Sequence, residues 1–128
     1  MPDISDEELK KVIADFIEMG YVENIVAMFK QDPTLYRFSG ELLRDERFAV
    51  RIGMAVLFEE LTASRPSEVE QAIPYLLPHL ADQTPWVRGE AANLLAIIGS
   101  PRALEPLQDL RNDPDPQVAE IVRDALGN

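Results

Sequence analysis

His79 is the single histidine of the chain, and there is no cysteine. Paired-histidine metal motifs, thiolate clusters, disulfides and thiol nucleophiles are therefore excluded by residue type alone. The six glycines include no G-x-G, so neither a dinucleotide fingerprint nor a phosphate-cradling loop is present, and no G-x-S-x-G turn is available to expose a serine nucleophile. Carboxylates are abundant, but an adjacent pair such as Glu59 and Glu60 points to different sides of a helix and makes a poor acid–base dyad. Most acidic residues read as solvated surface, and His79, at a helix end, reads as a surface or capping residue. The expectation is a chain without catalytic residues, metal ligands or cofactor.

The residue types that remain interesting are those of recognition, above all the single tryptophan, Trp86. Tryptophan is enriched among interface hot spots, which typically lose about 2 kcal/mol or more on truncation. What Trp86 can do depends on the elements that hold it. Turn punctuation cuts the chain into eight short helical stretches, with no alternating strand pattern between them. Ser5-Asp6-Glu7-Glu8 is a capping box opening the first, and Gly20 closes it. The next stretches cover roughly 22–30, 34–44 and 47–61; the dense apolar run Ala49 to Phe58 predicts a buried central helix. Ser67 with Glu70 forms a second capping box for a helix reaching about Leu80. Trp86 to Ile98 is closed by Gly99, Ser100-Pro101 opens the seventh helix with a cap and a first-turn proline, and Gln117 to Leu126 is the last. Pro74, Pro78 and Pro106 fall inside these stretches and predict kinks, since an interior proline costs about 3 kcal/mol in a regular helix.

The stretches repeat. Ala72, Leu76, Asp82, Pro85, Val87 and Leu95 recur 31 residues later as Ala103, Leu107, Asp113, Pro116, Val118 and Leu126. A weaker copy pairs Asp45, Val50 and Arg51 with Asp82, Val87 and Arg88, 37 residues apart. Helix, acidic-proline turn, then a helix opening on Val-Arg resembles the HEAT-like repeats, in the short variety often labelled after phycobilin lyases. The segment DQTPWVRGEAANLLAIIGSPRA carries the resemblance best. The resemblance implies an all-α fold, a short α–α superhelix of about four helical pairs in one domain. Residues 1–33 would be N-terminal capping helices, and 34–65, 66–99 and 100–128 the repeats. One helical pair cannot bury its apolar face alone, so stacking is obligatory. The pairs Asp45–Arg51 and Asp82–Arg88 look like the turn-organising pairs of the family. Ala119 stands in the arginine position of the last repeat, as suits a terminal unit.

The resemblance also implies a concave surface lined by each second helix. At about 100° per residue, Trp86, Glu90, Asn93 and Ile97 share one stripe, beside a core side of Val87, Ala91, Leu94, Leu95 and Ile98. The repeat offsets carry this stripe to Ala49, Gly53, Val56 and Glu60, and to Gln117, Ile121, Asp124 and Asn128. An apolar patch of Val56, Trp86, Ile97 and Ile121 among Glu60, Glu90 and Asp124 suits a cationic or amphipathic segment of another protein. The formal net charge of −11 disfavours nucleic acid and anionic membrane. With no secretory signal, no long apolar run and no cysteine, the chain reads as cytoplasmic. The expected function is a non-catalytic protein-interaction module or scaffold. An accessory factor for cofactor handling, related to the lyases, and a self-assembling structural protein or homodimer stand as alternatives.

Overall fold

The computed structural model describes residues 4–127, and among them there are helices and turns but no strand. Asn128 lies outside the described residues. The α-helices are α1 (Asp6–Glu18), α2 (Val22–Gln31), α3 (Ser39–Leu43), α4 (Phe48–Ser64), α5 (Ile73–Leu76), α6 (Pro85–Ile98), α7 (Pro101–Leu104) and α8 (Pro116–Leu126). Ser5 caps α1 by accepting the Glu8 N–H at 3.1 Å. Gly20 and Gly99 end α1 and α6 with φ of 91° and 70°, a left-handed conformation that glycine adopts without Cβ strain.

The first helix of each later pair is not one helix. A 3₁₀ segment, Pro33–Phe38, runs into α3; Val69–Ala72 and Leu77–Ala81 flank α5; and Glu105–Leu110 continues α7. Pro33, Pro74, Pro78 and Pro106 each occupy the first or second position of their short segment. A first-turn residue has no intrahelical use for its N–H, so breaking the helix at each proline avoids the cost of an interior one. The predicted kinks are thus complete changes of helix type. The capping box at Ser67 does not form. Glu68 precedes the Val69–Ala72 segment without a side-chain cap, and Glu70 instead accepts the Ser100 hydroxyl at 3.1 Å, joining successive repeats.

The second helices are continuous and lie side by side, α4 against α6 and α6 against α8, with α1 and α2 both packed on α4. A single core runs through them, centred on Phe29, Tyr36 and Phe58, whose rings meet edge-on at 5.1 Å and 6.3 Å. The expectation of a buried central helix holds for one side of α4. Val50, Met54, Leu57, Phe58 and Leu61 of α4 are buried, but Phe48, Ile52 and Val56 are exposed. Gly53 is buried for a separate reason: a Cβ there would lie 2.1 Å from Ile17 Cγ2, so α1 crosses α4 at this glycine.

The turns repeat the same device. Asp45, Asp82 and Asp113 each accept the main-chain N–H two residues on, from Arg47, Thr84 and Asp115, at 2.9, 2.8 and 2.9 Å. The arginines act on the turns through main-chain oxygens rather than through the aspartate carboxylates. Arg51 Nη1 donates to the carbonyls of Asp45 and Glu46 at 2.9 and 3.0 Å, and Arg88 Nη1 to those of Asp82 and Gln83 at 2.8 and 3.3 Å. The carboxylates make other ties. Asp45 pairs with Arg47, Asp82 with Arg44, and Asp113 takes a two-pronged pair from Arg88 Nε and Nη2, both at 2.9 Å. Arg88 therefore fastens its own turn and the next repeat together.

Candidate functional site: the open face of the second helices

On α6 the spacing of Trp86, Glu90, Asn93 and Ile97 does put them on one stripe, away from the buried Val87, Ala91, Leu94, Leu95 and Ile98. Trp86 is 40% exposed; Glu90, Asn93 and Ile97 are half-buried, Ile97 resting against the core. Pro85 starts the helix and Thr84 lies in extended conformation before it, so the first turn and its indole are held at the α6 N-terminus. Between α6 and α8 runs a cleft of about 340 Å³, lined by Trp86, Gly89, Glu90, Asp115, Gln117 and Ile121 among others. Gly89 is buried and leaves room for the Ile121 side chain, which comes to 3.5 Å from the place a Cβ would take. Asp124 is exposed on the same helix, one turn beyond Ile121.

On α4 the residues given by the repeat offset divide: Ala49 and Val56 are exposed, Gly53 is buried and Glu60 is half-buried. Phe48, Ile52 and Val56, four residues apart in turn, form the open row, at 67%, 51% and 41% exposure. Gly53 lies under α1. Glu60 turns toward α2, where Glu23 shares its surroundings. Its carboxyl is pushed up by hydrogen bonding to Glu23, with burial and the like charge adding to the effect and Lys30 opposing it. Glu60 is thus separated from the Glu90 and Asp124 rim to which the repeat offset assigns it.

Arg51 joins the two rows. Its guanidinium lies 4.3 Å from the centre of the Trp86 ring and 5.5 Å from that of Phe48, the geometry of a cation over aromatic faces. Its Nε is 3.8 Å from Glu90 Oε2, too long for a hydrogen bond. Burial pushes the Glu90 carboxyl above its ordinary value, and the Arg51 charge only partly opposes this. Arg51 thus holds its own turn carbonyls, lies over the tryptophan and lies beside Glu90. Its spacing from Asp45 pointed only to the first of these.

His79 is half-buried rather than a surface cap. It packs where a Cβ on Gly40 would come within 2.6 Å of its Nε2, and burial together with the Arg44 charge pushes its pKa down. No group of three or more histidine, aspartate or glutamate side chains is placed to hold a metal ion among the described residues. No helix among them is long and apolar enough to cross a membrane.

A family model described as HEAT repeats matches residues 38–127 of the chain. No curated protein and no solved structure matches it. The matched span begins at the end of the first 3₁₀ segment and takes in α3 to α8, including the whole of the open face on α4, α6 and α8.

Proposed function

The chain belongs to the HEAT repeat family, whose repeats commonly mediate protein–protein interaction and whose members are typically non-catalytic scaffolds, and on that premise we propose that it is an interaction module that binds a basic, amphipathic segment of another protein along α4, α6 and α8.

The observation that carries this reading is the row of large apolar side chains left open on adjacent second helices: Phe48, Ile52 and Val56 on α4 and Trp86 on α6. Three of the four stand a helical turn apart on one helix, and the fourth is joined to them through Arg51. A surface row of this kind is matched by the apolar face of a partner helix, whose anchors recur at three- and four-residue spacing. The carboxylates Glu59, Glu90, Glu120 and Asp124 stand on the same helices, and the chain as a whole carries a formal charge of −11. Such a field accelerates association with a cationic segment and disfavours an anionic one. The residues proposed to meet the partner are Phe48, Ile52, Val56, Trp86, Glu90, Asn93, Ile97, Ile121 and Asp124. Asp45, Arg51, Asp82 and Arg88 hold the turns that present them.

A photo-crosslinking residue at Ile52 tests this directly. The expected product is a cross-link to a lysine- or arginine-rich helical segment of a second protein, identified by mass spectrometry. Cross-links formed instead to a second copy of this chain would replace the reading with a homodimer. Cross-links obtained only from a probe at Tyr75, which lies off these helices, would move the site elsewhere.

A further inference from the structure

The cleft between α6 and α8 has a chemistry distinct from the apolar row beside it. Its charged lining side chains are two carboxylates, Glu90 and Asp115, and its aromatic wall is Trp86. The Asp115 carboxylate is already engaged, accepting the N–H groups of Gln117 and Val118 at 2.9 and 3.1 Å as the cap of α8. Glu90 is different. Among the described residues its ionic neighbour is Arg51, which stands off at 3.8 Å, and the Glu90 side chain is half-buried at 31% exposure. A carboxylate so placed retains acceptor capacity that a donor entering the cleft can satisfy.

Arg51 shows what kind of donor fits. Its guanidinium lies against the Trp86 ring and beside the Glu90 carboxylate at once. The same two side chains also line the cleft. We propose that this cleft is an anchor pocket for one arginine side chain of the partner, whose guanidinium lies against Trp86 and is received by the Glu90 carboxylate. This rests on the reading of the open face as a protein-binding surface and names the feature of the partner that it selects. A planar guanidinium suits both contacts, because it stacks on an aromatic face and offers paired N–H donors to a carboxylate. Ile121 and Gly89 give the pocket an apolar floor along which the methylene stem of an arginine can lie. The negative charge of the chain favours such a side chain over an acidic one.

Trp86 is the single tryptophan, so tryptophan fluorescence reports on the aromatic wall of this pocket. The full chain is titrated with N-acetyl-arginine amide and, in parallel, with N-acetyl-citrulline amide, its uncharged near-isostere. The expected result is a saturable change with the arginine amide, none with the citrulline amide, and binding about tenfold weaker in Glu90→Gln, a change of one carboxylate contact. Glu90 is half-exposed, so the variant is expected to keep the wild-type circular dichroism spectrum, and the comparison is made on protein that does. Equal responses to both amides, no saturation with either, or an unchanged affinity in Glu90→Gln would overturn the proposal. The broader reading fails separately. If partner capture is lost in Ile52→Lys but intact in Glu90→Gln, the face binds protein without an arginine pocket. If capture survives both, the face itself is not the binding surface.

Discussion

Replacing Arg88 with methionine should remove most of what ties the second and third repeats together at their turns. The substitution deletes the Nε and Nη2 bonds to Asp113 and the Nη1 bonds to the carbonyls of Asp82 and Gln83, while keeping an apolar stem of similar length. The Asp113 side chain is 3% exposed and that of Arg88 14%. Removing one partner of a buried pair typically costs about 3–5 kcal/mol, because the other charge is left with neither partner nor water. Asp113 keeps the Asp115 N–H, and the pair lies at the edge of the core, which places the expected loss near the lower end, about 3 kcal/mol. Against a total stability of about 5–15 kcal/mol, this lowers the melting temperature by about 10 °C. The loss also depends on pH with a definite sign. Hydrogen bonds from Arg88 hold the Asp113 carboxyl below its ordinary value in the folded protein. The stabilisation is therefore complete above the unfolded aspartate pKa of about 3.9 and disappears as pH falls through the folded value. Urea unfolding followed by far-ultraviolet circular dichroism at neutral and acidic pH should show a gap between wild type and variant that narrows toward acid. A loss under about 1 kcal/mol, the range of an exposed pair, or a gap that stays constant with pH would show that the Arg88–Asp113 pair does not fasten the repeats.

Gly53→Ala should destabilise by about 1–3 kcal/mol despite the better helix propensity of alanine, since the added Cβ meets Ile17 Cγ2 at 2.1 Å and Ile17 is buried; an unchanged urea midpoint would show that α1 does not cross α4 there. Gly89→Ala should do the opposite and stabilise by about 0.5–1 kcal/mol, because its Cβ lands in ordinary contact with Ile121 and Val118 and α6 loses an interior glycine; a lowered melting temperature would contradict this. Glu60→Gln should raise the melting temperature at neutral pH, because it removes a carboxylate that Glu23 and burial disfavour. The raised folded pKa means that this gain shrinks as pH falls through the carboxylate range, and a gain that grows toward acid would reverse the assignment.

Local sequence signals were sufficient wherever the chain settles a structure within a few residues. Ser5 before three acidic residues, Gly20, Gly99 and the Ser100-Pro101 pair mark helix ends that the structure reproduces. The angular stripe on α6 was legible because its residues lie beside the buried side of one continuous helix, where Trp86 is exposed and Glu90, Asn93 and Ile97 are half-buried. On α4 the same reasoning placed Ala49 and Val56, which are exposed, but not Gly53, because a tertiary event decides that part of the helix: Gly53 receives α1, and nothing near Gly53 in sequence announces that crossing. The row of most exposed apolar residues was nevertheless written in the four-residue spacing of Phe48, Ile52 and Val56, two of which the offset from α6 passes over. Ser67 carried the pattern of a capping box, but the helix it would open is a 3₁₀ segment followed by Pro74, and its Glu70 is drawn to Ser100 of the next repeat. Arg51 illustrates a different limit. Its spacing from Asp45 identifies a turn residue, whereas its place between Phe48 and Trp86 exists only once α4 and α6 lie side by side.

Partner binding is proposed to depend on the open row of α4 and α6. The most direct test compares capture of a binding protein by wild type, by a Phe48→Lys, Ile52→Lys double variant and by Tyr75→Lys, all of matched helicity. Phe48 and Ile52 are the most exposed apolar side chains on that face, while Tyr75 is exposed away from it, on α5. The expected result is that one basic protein is retained equally by wild type and Tyr75→Lys and lost from the double variant. Retention by the double variant, or loss with Tyr75→Lys alone, would contradict it.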